Sequence, residues 1–173
     1  MSKNTIHFIV LAVVLLLAQV VVFNHICLFG VAVPMVFIYL IIHMPLTTPV
    51  YRLLTVGFLL GLIVDVFSDT PGMNALACTV LAMSRRYVLR LYFNREDDMT
   101  DPVPSMRSLG AAVYVKYMVT MVFVYCSVIF LIEALTFFYP QTLLLRILSS
   151  TVFTSLLLLG IDSITLKRRE KRL

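Results

Sequence analysis

Apolar runs about as long as a bilayer crossing follow one another along this 173-residue chain, with very short polar breaks between them. A helix of ~20 residues satisfies its own backbone hydrogen bonds across the hydrocarbon core, so the pattern predicts an all-α polytopic membrane protein. The longest polar stretch, Asn94 to Ser108, includes NREDDMTDPVPS with two prolines and is too short to bury a core of its own. Charged residues make up 13% of the chain, against roughly 25% in a soluble domain. No extramembrane domain fits, and any function falls to helices and short loops.

The runs predict one integral membrane domain over 1–173, a compact bundle of about six spans. They are placed at 6–23, 26–44 with an irregular start at Gly30 and Pro34, 50–67, 73–93, 109–138 and 142–166, followed by a basic tail at 167–173. The first run follows a single lysine without a convincing small-residue cleavage site, so a retained helix is expected. Span five exceeds the ~30 Å core, which implies tilt or an extension reaching Lys116. Basic residues stay on the cytoplasmic side of short loops. With both termini cytoplasmic, Lys3, Arg52, Arg85, Arg86, Arg90, Arg95, Arg107, Lys116 and the tail collect there, and only Arg146 falls opposite. The outer connections NHICLFGVAVP, SDTPGMN and TFFYPQT hold no Lys or Arg, as an even number of spans requires. The formal charge of +5 is thus an orientation signal, and a nucleic-acid partner is not indicated.

Gly57, Gly61 and Asp65 recur every four residues and share one face of the third span. Glycines admit a close neighbour, so this is a candidate packing or partner face. Asp65 would be costly in lipid unless paired, hydrated or turned inward. Binding of a proton, a cation or a partner's basic group is one reading; reaching interfacial water or capping the hairpin backbone is the preferred one. Ser68, Asp69, Thr70, Pro71 and Gly72 have the chemistry of a tight outer turn. Arg85 and Arg86 either face the interior and pair with a carboxylate or, as preferred, snorkel to anionic headgroups. With Arg90 and Arg95 they form a candidate cytoplasmic basic surface.

Lys116, Glu133, Asp162 and His43 form no recognisable constellation, although Glu133 can pair with Arg146 across the outer turn. Ser149, Ser150, Thr151, Thr154 and Ser155 suit close packing and interhelical hydrogen bonds. Cys27, Cys78 and Cys126 lie in apolar surroundings without CxxC spacing, so free buried thiols are expected and no zinc site is indicated. There is no HExxH, no GxSxG elbow, no GxxxxGK[ST] loop and no GxGxxG motif. The expectation is a non-enzymatic protein without a cofactor.

The length, the six-span layout and above all GLIVDVFSDTPGMNALA from Gly61 to Ala77 resemble the rod shape-determining protein MreD family in its Gram-negative form. The pattern rests on Gly61, Asp65, Ser68 and Gly72, followed by an apolar helix running into RRYVLRLYF. The resemblance implies an inner-membrane component of the elongation machinery, working with MreC, the actin-like MreB, the glycosyltransferase RodA and its transpeptidase. That family is similar in architecture to the substrate-binding components of energy-coupling-factor vitamin transporters, so a ligand-binding transporter subunit is the rival expectation.

Overall fold

The computed structural model describes residues 3–23, 33–92, 103–134 and 140–170, with only the backbone described at 3–7, 107–108, 140 and 164–170. Arg95, Gly30 and Cys27 lie outside the described residues. The helices are α1 (Lys3–Val21), α2 (Tyr39–Ile42), α3 (Val50–Ser68), α4 (Met73–Tyr92), α5 (Met106–Leu109), α6 (Ala111–Ala134) and α7 (Pro140–Glu170). Among the described residues, three stretches are long and apolar enough to cross a membrane: α3, α6 and Gln141–Ser163 of α7. The chain is an all-α protein of membrane type. α4 is as long but carries Arg85, Arg86 and Arg90, and α1 contributes a shorter apolar stretch at Phe8–Val21.

Large apolar side chains cover much of the outer surface of the helices. On α4 alone Leu76, Val80, Met83, Tyr87 and Leu91 are exposed at helical spacing, and Phe58, Leu62 and Val66 line the outside of α3. Polar side chains such as Gln19, Asp65, Asn74, Arg85, Ser150, Thr154 and Asp162 are instead buried between helices. The first set suits contact with acyl chains, whereas the second needs partners inside the protein.

Gly110, at φ 78°, separates the single turn of α5 from α6, which occupies the described part of the expected 109–138 span. Glycine alone adopts that backbone conformation without a Cβ penalty. The second span differs from the sequence expectation. Within the expected 26–44 segment, Val33 to Val36 is irregular, a turn follows, and α2 has only four residues. Hydropathy sees an apolar run in either case.

This segment, irregular to Val36 and ending in the single turn of α2, is the centre of the core. Val36, Phe37, Ile38, Tyr39, Leu40, Ile41 and Ile42 are each at most 2% exposed. Phe37 meets Tyr125 of α6 edge to face at 5.9 Å. A backbone without helical bonds survives at membrane depth only where protein supplies the partners, and α1 and α7 do so. Gln19 donates through Nε2 to the Pro34 carbonyl (3.1 Å) and accepts the Val36 N–H on Oε1 (2.8 Å). Ser150 Oγ accepts the Val33 N–H at 3.1 Å, and Thr154 Oγ1 accepts the Met35 N–H at 3.2 Å. Gln19→Leu leaves a buried donor and a buried acceptor unpaired. It is expected to cost roughly 2 kcal/mol, measured as a lower unfolding midpoint in detergent; an unchanged midpoint would mean that water or a rearranged backbone replaces the amide.

Candidate functional site

The α3–α4 hairpin holds the most concentrated polar chemistry. Asp69 ends α3 in the left-handed region at φ 52°, its N–H returning to the Asp65 carbonyl, and Gly72 turns at φ 77° with open space around it. Ser68, Pro71 and Gly72 complete the connection, and the reversal brings Asp65 back to the start of α4. Asp65 is 5% exposed and accepts four hydrogen bonds. Oδ1 takes the Thr70 hydroxyl (2.7 Å), the Asn74 N–H (2.9 Å) and Asn74 Nδ2 (2.9 Å), and Oδ2 takes the Ala75 N–H (2.8 Å). Asn74 Nδ2 also donates to Thr70 Oγ1 (3.1 Å), and the Tyr125 hydroxyl donates to Asn74 Oδ1 (2.5 Å). The first N–H groups of a helix lack intrahelical acceptors and lie at its positive dipole end. Asp65 is therefore a cap borrowed from the preceding helix, and α6 buttresses it through Tyr125.

The glycine face is internal and α4 covers it. A Cβ on Gly61 would lie 2.5 Å from both the Ala75 Cα and the Asn74 carbonyl oxygen. One on Gly57 would stand 3.1 Å from the Cys78 carbonyl oxygen and 3.3 Å from the Ala82 methyl. Gly57, Gly61 and Asp65 thus act together on α4, and the alternative of an outward partner face is corrected. Cys78 and Cys126 are buried free thiols.

Arg85 faces the interior, as one of its two expectations has it, but without the carboxylate. It is 2% exposed, so it neither snorkels nor belongs to a cytoplasmic basic surface, and no carboxylate pairs with it among the described residues. Its Nε donates to the Tyr117 hydroxyl (3.3 Å) and an Nη donates to the Met44 carbonyl. The Tyr117 hydroxyl donates in turn to the Ile42 carbonyl (3.3 Å). These acceptors lie at and just beyond the C-terminus of α2, the negative end of a helical turn. Arg86 and Arg90, at other angles on the same helix, are exposed.

A second buried cluster joins residues that show no constellation in sequence. His43 Nε2 lies 3.4 Å from Asp162 Oδ1 and 2.7 Å from the Tyr114 hydroxyl. The Tyr39 hydroxyl donates to the same Asp162 oxygen at 3.3 Å, while its ring stacks on His43 with centroids 3.8 Å apart. His43 Nδ1 lies 3.2 Å from the Tyr39 carbonyl, which can only accept, so this nitrogen carries a proton. Nε2 then either accepts from Tyr114 in the neutral ring or donates towards Asp162 in the charged one. Asp162 Oδ2 is buried without a partner among the described residues. The cluster ties the core segment to α6 and α7. A signal for it existed in the sequence: His43 and Asp162 are intramembrane ionisable residues, and Gln19 is a lone amide in an apolar run.

Glu133 and Arg146 do pair, at 2.6 Å, but with 45% and 41% of their side chains exposed the bond contributes at most ~1 kcal/mol. Lys116 is exposed on α6. Among the described residues no group of His, Cys, Asp and Glu is arranged to hold a metal. Comparison with protein families, curated proteins and solved structures finds no match.

Proposed function

We propose that this chain is a non-enzymatic adaptor of the bacterial inner membrane, crossing it six times with both termini cytoplasmic. In this reading it serves the elongation complex in peptidoglycan synthesis and cell-shape maintenance, binds MreC most directly and works beside MreB, RodA and its transpeptidase. The observation that carries the reading is the use made of Asp65. The intramembrane carboxylate best placed for transport chemistry is occupied by four hydrogen bonds that hold the hairpin together. A rigid bundle with polar groups inside and apolar helix faces outside suits the packing of partner membrane helices. The resemblance from Gly61 to Ala77 supplies the identity of those partners.

A small-molecule-binding transporter subunit is the second reading. It draws on the irregular stretch at Val33–Val36 that leads into the buried turn of α2, and on the Asp162 oxygen without a partner among the described residues, since broken helices at membrane depth form ion and substrate sites in transporters. Affinity purification of the tagged protein from its native membranes, with mass spectrometry of proteins and small molecules, separates the two. Enrichment of MreC and the elongation enzymes is the expected result. A stoichiometric vitamin-like ligand with an ATPase module, and no cell-wall proteins, would overturn the adaptor.

A further inference from the structure

We infer that the arginine-rich end of the α3–α4 hairpin is a binding site for the phosphate of an anionic phospholipid, seated at the mouth of the crevice between Thr48, Arg85 and Arg86. The inference rests on the membrane reading and not on the adaptor.

Positive charge at this end of the hairpin is unbalanced among the described residues. Arg85 is a buried cation whose hydrogen-bond partners, the Tyr117 hydroxyl and the Met44 carbonyl, are both neutral. A guanidinium carries five N–H donors in a planar fork, and the others make no hydrogen bond among the described residues. Withdrawing an ion from water costs several kcal/mol unless a counter-charge or further hydrogen bonds compensate. The next residue, Arg86, adds a second positive charge, is exposed and makes no hydrogen bond or ion pair among the described residues. An anion held between the two would relieve both the desolvation of Arg85 and the mutual repulsion.

The crevice beside them is open, so an anion would sit at its mouth rather than inside it. Leu46, Thr48, Leu53, Arg85, Arg86 and Leu89 line a shallow, open crevice of about 20 Å³. The Thr48 hydroxyl has no partner among the described residues and adds a donor, while guanidinium forks meet phosphate oxygens in matched pairs. A free phosphate and a lipid headgroup share this chemistry. The three leucines and the location favour the lipid. The crevice lies at the end of the hairpin opposite the Asp69–Gly72 turn, beside the first turn of α3 and the last of α4. Tyr51 and Tyr87 are exposed there, 64% and 68% respectively, as aromatic side chains at a headgroup boundary are. Arg52 lies over the Tyr51 ring at 5.7 Å, adding positive charge to the same rim.

The test uses the full chain purified in a neutral detergent, with dioleoyl phosphatidylglycerol, dioleoyl phosphatidylcholine or inorganic phosphate added. Retained lipid is counted by native mass spectrometry, and the unfolding midpoint is followed by thermal scan. The expected result is one phosphatidylglycerol retained per chain and a midpoint raised by that lipid alone. Arg86→Ala combined with Thr48→Val should weaken that response about tenfold while leaving the lipid-free midpoint in place. Arg85 is kept because its bonds to Tyr117 and Met44 hold the fold. An equal response to phosphatidylcholine, or an undiminished response in the double variant, would overturn the site. An equal response to inorganic phosphate would overturn the lipid assignment. None of these outcomes bears on which proteins co-purify, so the site and the adaptor reading fail separately.

Discussion

Gly61→Ala is expected to destabilise the protein by roughly 3 kcal/mol, a large fraction of the 5–15 kcal/mol that ordinarily separates folded from unfolded states. The new methyl would meet the Ala75 Cα, the Asn74 carbonyl oxygen and the Ala75 nitrogen at 2.5 to 2.6 Å. All three belong to the backbone at the start of α4, so no side chain can swing away, and relief requires α3 and α4 to separate. That movement would also pull the Asn74 and Ala75 N–H groups from the Asp65 carboxylate. Gly57→Ala is the internal control. Its neighbours at 3.1 and 3.3 Å need give by only a few tenths of an ångström, and alanine regains ~1 kcal/mol of helix propensity. Its net effect should stay within about 1 kcal/mol. Unfolding midpoints of both variants, with co-purification of partners as a second readout, check the contrast. Equal midpoints for Gly61→Ala and the parent protein would show that the two helices are not held at this crossing.

Asp65→Ala should cost about as much for a different reason. It leaves two buried backbone donors at the start of α4 without acceptors, and strands the Thr70 hydroxyl and Asn74 amide that share Oδ1. At ~1–3 kcal/mol for each buried donor left unsatisfied, with relaxation recovering part of the loss, roughly 4 kcal/mol is expected. Asp65→Asn preserves one acceptor oxygen but turns an NH2 group towards donors, so about half of that loss is expected. Thermal unfolding in detergent, with hydrogen exchange at Asn74 and Ala75 as the local readout, measures both. If Asp65→Asn matched the parent in both readouts, the negative charge would have no structural part in the hairpin and the transporter reading would gain ground.

Much of the hairpin is legible in the sequence because its determinants are local. The four-residue spacing of Gly57, Gly61 and Asp65 places them on one face whatever surrounds them, and Asp69 and Gly72 mark the turn through their tolerance of positive φ. The apolar character of α3, α6 and most of α7 likewise follows from composition, since a bilayer demands length and internal backbone bonding of any segment that crosses it.

Which surfaces those residues meet was decided only by tertiary packing. Arg85 and Arg86 are adjacent in sequence, yet about 100° of helical rotation turns one towards the carbonyls of Ile42 and Met44 and leaves the other outside. The run from Val33 to Ile42 is as apolar as a membrane helix, yet only Tyr39–Ile42 is helical. Its backbone can do without the full helical ladder because Gln19, Ser150 and Thr154 arrive from distant helices to bond it. Tyr39 and Asp162, 123 positions apart, meet only when α7 closes on that segment. The chain's own sequence thus determined its helical, membrane-type character and the Gly61–Asp65 hairpin, because bilayer thickness and turn chemistry act on neighbouring residues. The tertiary structure alone decided how each buried polar group is satisfied, because a hydrogen bond depends on positions in space that no local periodicity encodes.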